Sequence, residues 1–221
     1  MIQTRYRTDY TGEFIITQSV WSGGKKSQTR EWVENPIENQ HISGRAVCIG
    51  SAHDSDQFDY TRLQRHRGGL LGSKKLQTYG LGLVAHQMRL DFAVETDDQC
   101  LKELIDIDYY QDNVVYTTPR NCLKYPGFFY LTPYSPGVVK HALALYLAAF
   151  DGHKEIFMIG YNQYTTAGNS AWQAHVAQVI SAYAGTKFVI VGMPHHAPDA
   201  WLEFANVERM TYREFISYCD V

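Results

Sequence analysis

No run in this chain approaches the roughly 18 apolar residues that a membrane-spanning helix needs. Arg5, Arg7 and Asp9 interrupt any apolar stretch at the start, so no signal peptide is read there and a cytoplasmic location is expected. An excess of one charge is missing too: 20 Lys and Arg face 23 Asp and Glu, for a net charge of -3. Bulk electrostatics therefore recommend neither a nucleic-acid backbone nor an anionic membrane as partner. The basic run from Arg62 to Lys75 keeps a nucleobase acceptor open. Cysteine is sparse, and Cys48, Cys100, Cys122 and Cys219 form no C-x-x-C pair and no zinc spacing with histidine. Reduced thiols fit that pattern. The chain also has no internal repeat, low-complexity tract or Pro/Gly/Ser linker. One domain over 1–221 is expected, with an N-terminal hairpin extension over 1–40 and a body over 45–221.

Several catalytic signatures are absent as well. There is no G-x-G-x-x-G, and Gly68-Gly69-Leu70-Leu71-Gly72-Ser73-Lys74 misses the spacing of a phosphate-binding P-loop. The chain has no G-x-S-x-G elbow, which removes support for esterase-type nucleophilic catalysis. His195-His196 lacks the i, i+4 helical spacing of a metalloprotease pair.

What is present is an alternation of short apolar runs and helical patterns. Hydrophobic residues make up 45% of the chain, enough for a sizeable core. Phe14-Ile15-Ile16 with Val20, the turn formers Ser22 to Lys26, and Thr29 to Val33 predict a hairpin added at the edge of a sheet. Arg45 to Ile49 predicts a strand buried on both faces, ending in Gly50. Further strands are expected at Leu76–Tyr79, Asp91–Glu95, Asn113–Tyr116, Lys154–Gly160 and Lys187–Val191, with helices at Gln99–Ile107, Val138–Phe150 and Ala171–Tyr183. Ser135, Pro136 and Gly152 read as boundary signals of the middle helix. The fold class that follows is α/β, a doubly wound, mostly parallel Rossmann-like sheet.

Ligands of such sheets bind outside the carboxyl ends of the strands. The residues found there are Gly50-Ser51-Ala52-His53-Asp54-Ser55, Glu95-Thr96-Asp97-Asp98, Gly160-Tyr161-Asn162-Gln163-Tyr164 and Gly192-Met193-Pro194-His195-His196. Asp97 and Asp98 are the hard oxygen ligands that a magnesium ion on a diphosphate would take, and equally the carboxylates that a helix start favours. Ser135, Pro136 and Gly137 offer a helix N-terminus to an anion or an ordinary cap. His195 and His196 supply imidazoles suited to general-base work near neutral pH.

The order of these segments resembles bacterial sialyltransferase-like proteins and motility accessory factor glycosyltransferases. The likeness rests on Arg45-Ala46-Val47-Cys48-Ile49-Gly50-Ser51, Phe58-Asp59-Tyr60-Thr61-Arg62-Leu63 and Leu90-Asp91-Phe92-Ala93-Val94-Glu95-Thr96-Asp97. It continues through Tyr134-Ser135-Pro136-Gly137 and Glu155-Ile156-Phe157-Met158-Ile159-Gly160-Tyr161-Asn162. The same architecture serves the archaeal 6-hydroxymethylpterin diphosphokinase family. The resemblance spans about half the chain. It departs from the pattern at Ser51-Ala52-His53, where those families carry Asn-Gly-Pro, and at Asn162, where they carry an acidic residue.

The resemblance implies an enzyme that uses a nucleotide-sugar donor and a small-molecule or glycan acceptor. Gly50, Ser51, His53, Ser135 and Gly137 would approach the donor's nucleotide and phosphate. Asn162 and Tyr164 would lie near its base, ribose or phosphate. His195 or His196 would deprotonate the acceptor hydroxyl. Two other readings stand beside it. One is a nucleotide-dependent phosphoryl or diphosphoryl transferase with magnesium on Asp97 and Asp98. The other is a catalytically silent α/β domain whose 16 tyrosines serve contacts.

Overall fold

The computed structural model describes residues 2–6, 14–33, 44–50, 58–66, 75–131, 137–161, 170–192 and 198–220. Three N-terminal strands come first: β1 (Ile2–Tyr6), β2 (Phe14–Ser22) and β3 (Lys25–Val33). Gly23 and Gly24 join β2 to β3 with φ of 56° and 77°, the left-handed pair that a two-residue hairpin turn requires. The expected hairpin is therefore present, but it is not an edge of the main sheet. β2 pairs on its other side with β1, from Ile2 opposite Gln18 to Tyr6 opposite Phe14, and the three strands form an antiparallel sheet of their own.

The other eight strands are β4 (Arg45–Ile49), β5 (Gln77–Leu81), β6 (Phe92–Val94), β7 (Val114–Thr117), β8 (Phe129–Tyr130), β9 (Glu155–Ile159), β10 (Lys187–Val191) and β11 (Val207–Met210). They form one parallel sheet in the order β11-β10-β9-β4-β5-β6-β7-β8. The chain runs outward from β4 to β8, returns to place β9 on the other side of β4, and then runs outward again to β11. The direction of winding reverses between β4 and β9, which makes that pair the topological switch point.

Why these runs become central strands is visible in their two faces. Ala46, Cys48, Tyr79, Phe92, Ile156, Met158, Phe188 and Ile190 pack into one core. Val47, Ile49, Ala93, Val115, Phe157, Ile159, Val189 and Val191 pack into a second core on the opposite face. Successive strand residues point to opposite sides, so a continuous apolar run fills both layers at once.

The helices are α1 (Asp98–Asp106), α2 (Tyr109–Asp112), α3 (Pro119–Lys124), α4 (Lys140–Phe150), α5 (Ser170–Ala182) and α6 (Tyr212–Asp220). α4 and α5 cover the first core, while α1 and α6 contribute to the second. Every residue of α4 from Ala142 to Phe150 is buried, as its nearly uninterrupted apolar sequence demands. Trimming one of its side chains, Leu143→Ala for instance, removes packing from a fully enclosed site and costs about 2–5 kcal/mol. No helix among the described residues is long and apolar enough to cross a membrane.

One expectation needs correction here. α4 begins at Lys140, not just after Ser135 and Pro136. Its cap position is Val139, which offers no side-chain cap, and the Val139 N–H points instead at His175 Nδ1 at 3.4 Å. Gly152 does follow the helix end, with φ of 89°. The strand β11 and helix α6 close the fold but were not anticipated. β11 is an edge strand with Glu208 and Arg209 exposed, so it lacks the apolar run that marks its neighbours.

Candidate active site at the carboxyl edge of the sheet

Gly50 lies immediately beyond β4, and its N–H donates to Ile159 O at 2.8 Å. A Cβ built on Gly50 would stand 3.0 Å from Gly160 O and 3.0 Å from the ring of Tyr161. The glycine thus sits in a tight place, because the strand ends of β4 and β9 close on it from the side. Tyr161 is buried, and its hydroxyl donates to His141 O at 3.0 Å. That bond ties the end of β9 to the first turn of α4. The switch point is therefore a narrow seam between Gly50 and Tyr161, bonded to the start of α4 through the Tyr161 hydroxyl.

Two histidines stand around this seam. His141 is on α4, its ring 6.2 Å from that of Trp172 on α5. Its Nε2 is enclosed and has no hydrogen-bond partner among the described residues. Burial, reinforced by the charge of the adjacent Lys140, pushes the His141 pKa down to about 4, so the imidazole is neutral at physiological pH. His175, on α5, receives the Val139 N–H on Nδ1, which places the ring proton of the neutral form on Nε2.

Further along the same edge, Glu95 follows β6 with its side chain fully enclosed. Lys140 Nζ bonds both of its oxygens, at 3.0 and 3.1 Å. Glu95 Oε1 also accepts the N–H groups of Thr96 and Asp97, each at 2.9 Å. A carboxylate so held is fully paired, and it fastens the end of β6 to the start of α4. Gly82, beyond β5, makes room for it: a Cβ there would come within 2.7 Å of Glu95 Oε2.

The candidates from the sequence fall as follows. Gly50 is at the switch point. Gly137, exposed and with φ of 85°, precedes α4. Asp97 caps α1, its Oδ1 accepting from Gln99 N at 2.9 Å and Cys100 N at 3.0 Å. Asp98 pairs with Lys102 at 3.2 Å and Lys124 at 2.5 Å and accepts from the Tyr125 hydroxyl at 2.7 Å. Those bonds, Lys124's first, hold the Asp98 carboxyl well below its ordinary range. Both acids lie beyond β6, two strands from Gly50 and so about 10 Å along the edge. Among the described residues no group of three or more His, Cys, Asp or Glu is placed to hold a metal ion. Ser51, His53, Ser135, Asn162, Tyr164, His195 and His196 lie outside the described residues.

No protein-family profile matches the chain, and no curated protein matches it. Among solved structures it is similar to the sialyltransferase CstII from Campylobacter jejuni in complex with a substrate analogue, cytidine-5'-monophosphate. That match has 12% identity and a TM-score of 0.43, and it covers 66% of this chain and 78% of that one. A mutant of alpha-2,3/8-sialyltransferase CstII matches with 13% identity and the same TM-score of 0.43, over 66% of this chain and 81% of that one. Likeness at that level says nothing about a shared activity.

Glu95 stands among the polar strand ends read from the sequence, whereas Lys140, His141 and His175 were passed over as site residues. Attention to strand ends found the polar loops but not the helix that faces them. One signal was available: Lys140 is the only charge in an otherwise apolar helix, and such a charge calls for a buried partner.

Proposed function

We propose that this chain is a glycosyltransferase-like enzyme that takes a nucleotide-activated sugar, with the donor seated at the switch point between β4 and β9. The observation that carries the reading is the seam at Gly50. There the winding of the sheet reverses between two neighbouring strand ends, β4 and β9, which is where doubly wound sheets take their ligands. The motif resemblance from Arg45 to Tyr164 supports the same reading. Gly50, Ser51 and His53 after β4, Ser135 and Gly137 before α4, and Asn162 and Tyr164 after β9 are the residues assigned to the donor's nucleotide and phosphate. His195 or His196, after β10, is assigned as the base that takes the acceptor's proton.

Such a transfer needs positioning of the two substrates and stabilisation of a departing phosphate more than it needs a protein nucleophile. The phosphotransferase alternative asks Asp97 and Asp98 to hold magnesium. Asp97 would have to leave the α1 cap, and Asp98 two lysines, to do so. We therefore place the metal-independent transfer first.

The test is a thermal-shift series with CMP, UDP, GDP, ADP and ATP, each with and without magnesium. A ligand that binds only the folded state raises its melting temperature by mass action. A selective shift by one nucleotide without magnesium is expected. No shift from any of the five overturns the reading. With the donor class known, His195→Ala and His196→Ala are each expected to fold, and at least one to lose transfer; full transfer by both removes the base assignment.

A further inference from the structure

A polar cavity opens on the same edge of the sheet, away from the switch point. It has a volume of about 460 Å³ and is lined by Thr96, Asp98, Thr118, Arg120, Asn121 and Lys124. Thr96 follows β6 and Thr118 follows β7, so the cavity sits between those strand ends. Its mid-line is three strand spacings, about 14 Å, from the β4–β9 seam. One small anion cannot touch both places.

We propose that this cavity binds a small hydroxylated anion, a single phosphate or carboxylate carried on a sugar-sized body. Arg120 is the anchoring cation. Among the described residues nothing pairs with its guanidinium, which presents a planar fork suited to two oxygens of a phosphate or carboxylate. Lys124 adds a second positive charge. Its ammonium is held in place by Asp98 and lies 4.8 Å from the centre of the Tyr125 ring. Asp98 shares its charge between Lys124 and Lys102, so it cancels neither lysine fully.

The remaining lining groups suit the hydroxylated part of the ligand. Both amide hydrogens of Asn121 are used, toward Thr96 O at 3.2 Å and Thr117 Oγ1 at 3.1 Å, which leaves its Oδ1 to accept. Thr118 Oγ1 accepts the Asn121 N–H at 3.2 Å and keeps its own hydrogen to donate. The cavity thus offers a cation for the anionic end and both an acceptor and a donor for hydroxyls. Its volume falls in the range of small-molecule sites. The site stands independently of the donor seam, and its ligand need not contain a nucleotide.

The experiment is calorimetric titration of the full chain with glucose 6-phosphate, gluconate, glucose and inorganic phosphate, repeated with Arg120→Gln and with Arg209→Gln as a surface-charge control. Glucose 6-phosphate or gluconate is expected to bind with a Kd below ~10 mM, and whichever binds more tightly names the anionic group. Arg120→Gln is expected to weaken it at least ~10-fold, while Arg209→Gln leaves it unchanged and glucose does not bind. Absence of binding by both anionic sugars overturns the proposal. So does equal affinity in Arg120→Gln, or an equal loss in Arg209→Gln. Inorganic phosphate binding as tightly as glucose 6-phosphate would mark an adventitious ion only, and overturns it as well. None of these outcomes depends on the nucleotide series, so failure here leaves the donor reading standing, and the reverse.

Discussion

Asp151, at the end of α4, gives the sharpest test of the physical reasoning because it is an acid buried beneath the sheet's first core. It is 7% exposed, and Tyr79 and His153 beside it are fully enclosed. The Tyr79 hydroxyl lies 2.6 Å from Asp151 Oδ2 and 2.9 Å from His153 Nε2. One hydroxyl hydrogen serves two neighbours, and the line can be filled in either direction. With Asp151 ionised, Tyr79 donates to it and His153 Nε2–H donates to Tyr79. With Asp151 protonated, the acid donates to Tyr79 and Tyr79 donates to His153.

Burial raises the Asp151 pKa to about 7, and the bond from Tyr79 opposes only part of that rise. In the unfolded chain the same carboxyl returns to its ordinary 3.8. Below 3.8 both states carry the proton. Between 3.8 and about 7 the folded state keeps a proton that the unfolded state has released, so stability falls as pH rises. Above 7 both are ionised and the loss is complete. At about 1.4 kcal/mol for each pH unit, the fall is at most about 4 kcal/mol.

Asp151→Asn keeps the shape and removes the titration. Urea unfolding of both proteins, from about pH 4 to about pH 8, isolates the contribution as the difference between them. The variant is expected to gain on the parent by at least ~2 kcal/mol over that range, with the gain concentrated between pH 4 and 7. A difference that stays flat with pH would refute the argument that burial governs this acid.

Two further outcomes follow from the carboxyl edge. Gly50→Ala puts a methyl group against Gly160 O and the Tyr161 ring and should cost about 1–3 kcal/mol. For a chain of this length that lowers the melting temperature by about 2–12 °C, read by circular dichroism; an unchanged melting point would show that the seam is looser than it stands. Lys140→Met leaves the enclosed Glu95 carboxylate with only its two backbone donors and should cost about 3 kcal/mol. Adding Glu95→Gln should recover part of that loss, and a double variant no better than the single would deny the pairing.

How much of this was legible beforehand depended on whether a residue's signal was local. β4, β9 and β10 declare themselves because burial on both faces demands an unbroken apolar run, and each lies within a residue or two of where its sequence placed it. β8 and β11 are edge strands, short or polar, and periodicity has nothing to detect in Phe129–Tyr130 or Val207–Met210. The start of α4 misled for a different reason. Ser135 and Pro136 read as a good cap in the sequence, yet the helix starts at Lys140, where Lys140 meets Glu95 and Val139 turns toward His175. Both partners come from distant parts of the chain, Glu95 lying 45 residues from Lys140 and His175 lying 36 from Val139. The same limit governs the site. A glycine after a strand is visible as a glycine, but that Gly50 is there to admit Tyr161 follows only from β9 lying beside β4. That pairing joins residues 110 positions apart along the chain, Ile49 opposite Ile159. The edge of a doubly wound sheet is assembled from many such distant meetings. Its position can be read from the pattern of strands, whereas its chemistry depends on which loops and helix starts the winding brings together.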